Sequence, residues 1–125
     1  MLLALLACAL MACSMLPRKW TRQTRFGSDD LNVDNPVVKI HAIHQIVDRK
    51  DLETIPKLID LMADDDTSVR DNAYWGVTQL AGRDRPTPET PVFHHYDSPE
   101  LRAEIVSGWK RWDELRRAAQ PEAQK

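Results

Sequence analysis

The 125-residue chain is predicted to be all-α, a short right-handed α-solenoid of stacked helical hairpins in which a proline-rich loop replaces one helix. Two observations predict this. A helix-start pattern occurs three times, as Asn35-Pro36-Val37-Val38-Lys39, Asp66-Thr67-Ser68-Val69-Arg70 and Ser98-Pro99-Glu100-Leu101-Arg102, with spacings of 31 and 32 residues. Each copy has a capping side chain, a residue suited to the first turn, and an apolar–basic pair: Val38 and Lys39, Val69 and Arg70, Leu101 and Arg102. Self-similarity at about 30 residues marks a stacked repeat, because one unit cannot bury its apolar face alone. Between these starts, apolar residues recur every three to four positions, the period of an amphipathic helix.

The first helix is expected from Pro36 to about Arg49. Asn35 caps it, and Pro36 fits the first turn because its missing N–H has no intrahelical partner anyway. Val37, Ile40, Ile43, Ile46 and Val47 form its apolar face, which Val38 and Ala42 widen. The next helix covers Leu52 to Met62, with a cap near Thr54 and Pro56 tolerated in the first turn. Asp66 then starts a helix to about Ala81, with Val69, Ala73, Val77 and Leu80 on one stripe and Gly82 as its stop. Pro86, Pro88 and Pro91 exclude a regular helix where the next should lie. The segment 83–97 is therefore an extended loop whose Val92, Phe93 and Tyr96 are expected to pack back on the stack. Ser98 caps the last helix, with Leu101, Ile105, Trp109, Trp112 and Leu115 on its buried stripe and a polar outer face suited to a terminal unit.

Residues 51–82 resemble a HEAT-like repeat of the bacterial phycobilisome-lyase type, through Ile55-Pro56-Lys57-Leu58-Ile59-Asp60-Leu61-Met62, Asp64-Asp65-Asp66, Val69-Arg70, Ala73 and Leu80. The resemblance implies that 34–118 is a HEAT-like repeat domain. It also implies that the repeated basic residue bonds across to an acid or carbonyl of the neighbouring unit.

Residues 1–16, MLLALLACALMACSML, carry no charged side chain. As a helix they would reach about 24 Å, short of a hydrocarbon core of roughly 30 Å, so a signal-peptide apolar region fits the length better. Leu10-Met11-Ala12-Cys13 resembles the bacterial lipobox, and Leu5-Leu6-Ala7-Cys8 is a second match with too short an apolar region before it. The resemblance implies a lipoprotein signal peptide over 1–12 and a diacylated Cys13 that anchors the chain to a membrane of the bacterial cell envelope. Ser14 then points to the periplasmic face of the outer membrane. An uncleaved apolar helix and an ordinary secretory signal are the alternatives. Residues 13–33 read as a lipidated N-terminus and basic tether, whose Arg18, Lys19, Arg22 and Arg25 suit anionic headgroups. The tail 119–125 is expected to be disordered.

Of 17 basic and 19 acidic side chains, four basic and no acidic ones lie in residues 1–28, which leaves the body 13 against 19, a net of −6. Such a body repels nucleic acid, so no nucleic-acid partner is expected. Both cysteines, Cys8 and Cys13, fall in the opening apolar run, so the body holds neither a disulfide framework nor a thiolate cluster. There is no Gly-x-Ser-x-Gly elbow and no glycine-rich phosphate cradle. His41 and His44 lie three apart but no His-Glu dipeptide occurs, and Asp64-Asp65-Asp66 runs straight into a helix, as capping acids do. No catalytic residue, metal or cofactor is expected.

The function that follows is a membrane-anchored scaffold for an unknown protein partner, without catalysis. Trp75 with Tyr74, and the loop residues His94, His95 and Tyr96, are the expected partner-binding side chains. A chromophore- or cofactor-handling protein of the lyase type and a purely structural envelope protein are the alternatives.

Overall fold

The structure, a computed structural model, describes residues 26–82, 92–94 and 96–120. These residues are helical without a strand: α1 (Pro36–Asp48), α2 (Ile55–Leu61), α3 (Thr67–Ala81) and α4 (Pro99–Ala118), with 3₁₀ turns at Ser28–Asn32 and Leu52–Thr54. Each of the three predicted starts is a capped helix end. Asn35 Oδ1 accepts from the N–H groups of Val37 and Val38 at 3.0 and 3.4 Å. Asp66 Oδ1 accepts from Val69 at 3.0 Å, and Ser98 Oγ from Leu101 at 3.2 Å. A side-chain oxygen there satisfies one of the N–H groups that a helix start leaves unpaired.

The second helix begins differently from its prediction. Thr54 does not cap it; its hydroxyl donates to Asp51 Oδ2 at 2.7 Å and its side chain is buried, so Leu52–Thr54 forms a 3₁₀ turn ahead of α2. α1 closes through Lys50, at φ 55°, with Lys50 N–H on Val47 O and Asp51 N–H on Ile46 O. That is the Schellman closure, made here with lysine in the left-handed position glycine prefers. Gly82, at φ 57°, ends α3 as predicted.

α1 packs on α3, α3 on α2, and α2 on α4. The core runs through Ala42, Ile43, Ile46, Ile55, Leu58, Ile59, Met62, Ala73, Val77 and Ile105. α3 lies so close to α1 that a Cβ at Gly76 would stand 3.0 Å from Ile43 Cγ2. In a regular stack of hairpins α4 would lie beside α3, as second helix beside second helix. It lies instead against α2 and reaches α3 through Trp109, whose ring meets Tyr74 edge-on at 6.3 Å.

Two expected surfaces differ. The end of the segment read as tether is folded: Leu31 is buried in the core, Phe26 packs on it, and the Ser28–Asn32 turn covers α1. The widened apolar face of α1 needs this cover, and two isolated apolar residues supply it. On α4 the buried line runs through Ile105, Val106, Trp109 and Asp113, leaving Leu115 65% exposed. The contact with α2 follows the i, i+4, i+8 line from Ile105, which turns away from Leu115. Asp113 can stand in that line because Arg116 and Arg117 pair with it at 2.6 and 2.9 Å. Of the loop residues expected to pack back, only Phe93 is buried; Val92 and Tyr96 are exposed.

Among the described residues no helix is long and apolar enough to cross a membrane.

Candidate functional site

The ridge where α1 meets α3 carries a large, exposed aromatic side chain. Trp75 is 36% exposed and its ring lies over His44, with centroids 4.6 Å apart. The pair is braced from one turn below. Asn72 Nδ2 donates to Ser68 O at 2.8 Å, which leaves Asn72 Oδ1 to accept from His44 Nε2 at 2.9 Å. Residues 68, 72 and 75 share one helical face, so a single stripe of α3 both presents the indole and orients the imidazole beneath it. The arrangement offers a preformed aromatic plate with a polar rim.

The remaining partner-binding candidates do not join it. Tyr74 is half-buried between Phe93, at 5.4 Å, and Trp109, and so serves the attachment of α4. Its place one residue from Trp75 turns it by 100° to the opposite flank of α3. His94 and Tyr96 stack face to face at 5.0 Å, and Tyr96 is 73% exposed. Asp97 Oδ2 accepts from the His94 N–H at 2.7 Å, and Asp97 N–H donates back to His94 O, closing a tight turn before α4. His95 and Cys13 lie outside the described residues.

His41 and His44 serve separate contacts. His41 stacks on Phe26 at 5.5 Å, whereas His44 supports Trp75. Among the described residues no three His, Cys, Asp or Glu side chains gather as metal ligands.

The repeated basic residues hold the loops before the helices. Lys39 alone reaches across, its Nζ 2.6 Å from Asp64 Oδ2 in the loop between α2 and α3 of the next unit. Arg70 Nη1 donates to the carbonyls of Asp64 and Asp65, and Nη2 to Thr67 Oγ1. Arg102 donates to Asp97 O at 2.6 Å. The cross-unit bond expected of all three is therefore made by Lys39, while Arg70 and Arg102 clip their own preceding turns. Val69 is buried beside them and Val38 and Leu101 are half-buried. Burial opposes ionisation of Asp64, but the Lys39 ammonium, the Asp66 N–H and the nearby Arg70 outweigh it and hold the carboxyl below its ordinary value.

The hydrophobic pattern does not reveal Asp113, which is buried beside a cleft of about 280 Å³ between α2 and α4. Pro56, Ile59, Asp60 and Lys110 line the cleft with it, and Lys110 pairs with Asp60 at 2.8 Å. The signal in the sequence was the spacing of Asp113 to Arg116 and Arg117, three and four residues on, which places both cations on its face of the helix.

Compared with known proteins, the chain matches no family model, no curated protein and no solved structure.

Proposed function

We propose that this chain is a membrane-anchored, non-enzymatic scaffold of HEAT-like helical repeats that presents a side face to a protein partner. A lipidated Cys13 holds it in the bacterial cell envelope, and the basic residues after it lie on the headgroups. The observation that carries the partner-binding half is Trp75, exposed on a ridge yet held in one orientation by His44 and Asn72. Aromatic side chains fixed before binding lose little entropy on contact, and they dominate interface energies when a partner covers them. The anchoring half rests on Ala12-Cys13 at the end of an apolar run too short to span with ease.

Fatty-acid labelling and membrane fractionation of the full chain beside Cys13→Ala test the anchor. Label and membrane association should vanish together; a mutant that behaves like wild type would remove the lipoprotein half. Cross-linking in intact cells tests the face. Trp75→Ala should lose the cross-linked partner while the melting temperature falls by only a few degrees. If partner capture persists unchanged, the ridge is not the binding face.

A further inference from the structure

We propose that the end of the molecule made by the last turns of α1, α3 and α4 and the start of α2 is turned toward an anionic phospholipid surface. This rests on the anchored reading above and deepens it by fixing which way the stack stands. α1 and α3 run in one direction, since Lys39 meets Asp64 just before α3 and Val47 faces Gly76 further along both. α4 runs against α2, since Lys110 meets Asp60 at the end of α2 and Arg116 meets Leu52 O ahead of its start. The stack therefore has two unlike ends.

The chain enters at one of them. The Phe26 N–H donates to Gln45 Oε1 at 3.1 Å, and its carbonyl accepts from Arg49 Nη2 at 2.7 Å, so the body is joined beside the last turn of α1. The next residue toward the N-terminus is Arg25, followed by Arg22, Lys19 and Arg18. Each such residue is attracted to an anionic surface. The thirteen residues from Cys13 to Arg25 span at most about 45 Å, and their basic side chains draw them onto the headgroups well short of that reach. The edge of the body at Phe26 is thereby brought to the surface.

That end is also built to meet a bilayer. Leu52 and Leu115 are 42% and 65% exposed there. A groove of about 320 Å³ opens between α1 and α3, lined by Val47, Lys50, Leu52, Gln79 and Leu80. Arg116 Nη2 reaches Leu52 O at 3.4 Å, which places α4's last turns at the same level. Apolar tips interleaved with long cations suit the boundary between headgroups and acyl chains.

Charge separates the two ends. Residues 44–57 and 111–118 carry six basic and five acidic side chains, and Asp29 and Asp30 lie in the turn after Phe26. Residues 34–43, 58–74 and 96–110, which include the Lys110–Asp60 pair, carry four basic and nine acidic. An anionic bilayer repels the second group more strongly than the nearly neutral first, so the acidic loops at Asp34, Asp64–Asp66 and Asp97 point away from it. Trp75 then stands on the flank, clear of the lipid.

The test uses full-length Leu115→Cys and Asp65→Cys chains, each with Cys8→Ala, purified from bacterial membranes. Both positions are exposed, and thermal melts check that each variant folds. Mass spectrometry reads acylation of Cys13, and the introduced thiol carries an environment-sensitive fluorophore. The chains are reconstituted into phosphatidylcholine vesicles containing phosphatidylglycerol and headgroup-nitroxide lipid. The positions lie near opposite ends of helices about 20 Å long. The label at 115 should be quenched roughly threefold or more over the label at 65, given burial of a few Å into the headgroup region. Equal quenching, or more at 65, with the chain still membrane-bound overturns the orientation alone. A chain recovered without acyl groups in the soluble fraction overturns the anchored reading and the orientation with it. Adding Lys50→Glu and Leu52→Ser to the Leu115→Cys chain should bring its quenching down toward the Asp65 value; no change overturns the groove's part in the contact.

Discussion

The seam between α1 and α3 and the attachment of α4 are solved with different chemistry. The first is aliphatic and tight: Gly76 lets the two backbones approach until Ile43 and Leu58 fill all the space, and Lys39 pins α1 to the loop before α3. The second is aromatic and ionic. Trp109, Tyr74 and Phe93 bridge α4 to α3, Trp112 meets Trp109 edge-on, and Arg116 ties Asp113 to the carbonyl of Leu52. Small residues suffice where two regular helices lie side by side. Large rings make the link between α4 and α3, where the helices are not packed side by side, since an aromatic side chain buries more area than an aliphatic one.

The sharpest way to break this contrast is Trp109→Ala. It removes the buried centre of the aromatic attachment and should cost about 3–5 kcal/mol, read by urea denaturation, with α4 losing its hold before the α1–α3 seam does. A cost near 1 kcal/mol would mean that α4 is held by its ion pairs.

Lys39→Met tests the ion pair that ties α1 to the loop before α3. Both groups are mostly buried, at 15% and 11% exposure, so leaving Asp64 without its cation should cost about 1–3 kcal/mol at neutral pH. The pH dependence has a fixed sign. The folded carboxyl of Asp64 is held below its ordinary value, so its ionised form stabilises the fold above that value and this contribution is lost as pH falls through the lower, folded one. The gap between wild type and Lys39→Met should therefore be full at pH 7 and shrink in acid; a gap that widens in acid would contradict the pairing.

Gly76→Ala sets two effects against each other. Alanine gains about 1 kcal/mol of helix propensity, but Ile43 is fully buried and cannot yield, and overpacking costs about 1–3 kcal/mol. The expected net is a loss of about 1 kcal/mol, relieved when Ile43→Val is combined with it. Additive losses in that double-mutant cycle would show that the seam has slack.

Leu115→Ser should be the smallest change, within about 0.5 kcal/mol, because the side chain lies outside both attachments. A larger loss would place Leu115 in the packing of α4 after all.

Three helix starts were legible because a cap is a local event: Asn35, Asp66 and Ser98 each bond an N–H two or three residues on. The end at Gly82 was legible for the same reason. The start of α2 was not, because Asp51 and Thr54 bond each other in place of the helix, and nothing in their spacing separates the two outcomes. Leu115 misled because apolar residues at three- and four-residue steps fit two adjacent faces of α4, and the neighbour decides between them. Phe26 and Leu31 were invisible, being single apolar residues in a polar stretch with no period. Trp75 could be singled out by type, but its His44 and Asn72 supports come from the pairing of two helices, as does the inward turn of Tyr74.

The loop Asp64–Asp66 is gripped from both sides, by Lys39 of α1 and by Arg70 of α3. Opening either helix strains the grip of the other, so the two should come apart in a single cooperative event. Amide protons of 36–48 and 67–81 would then exchange with one shared opening free energy. Those of 99–118, joined to the rest mainly through Ile105, Trp109 and the ion pairs of α4, would exchange from a separate and shallower opening.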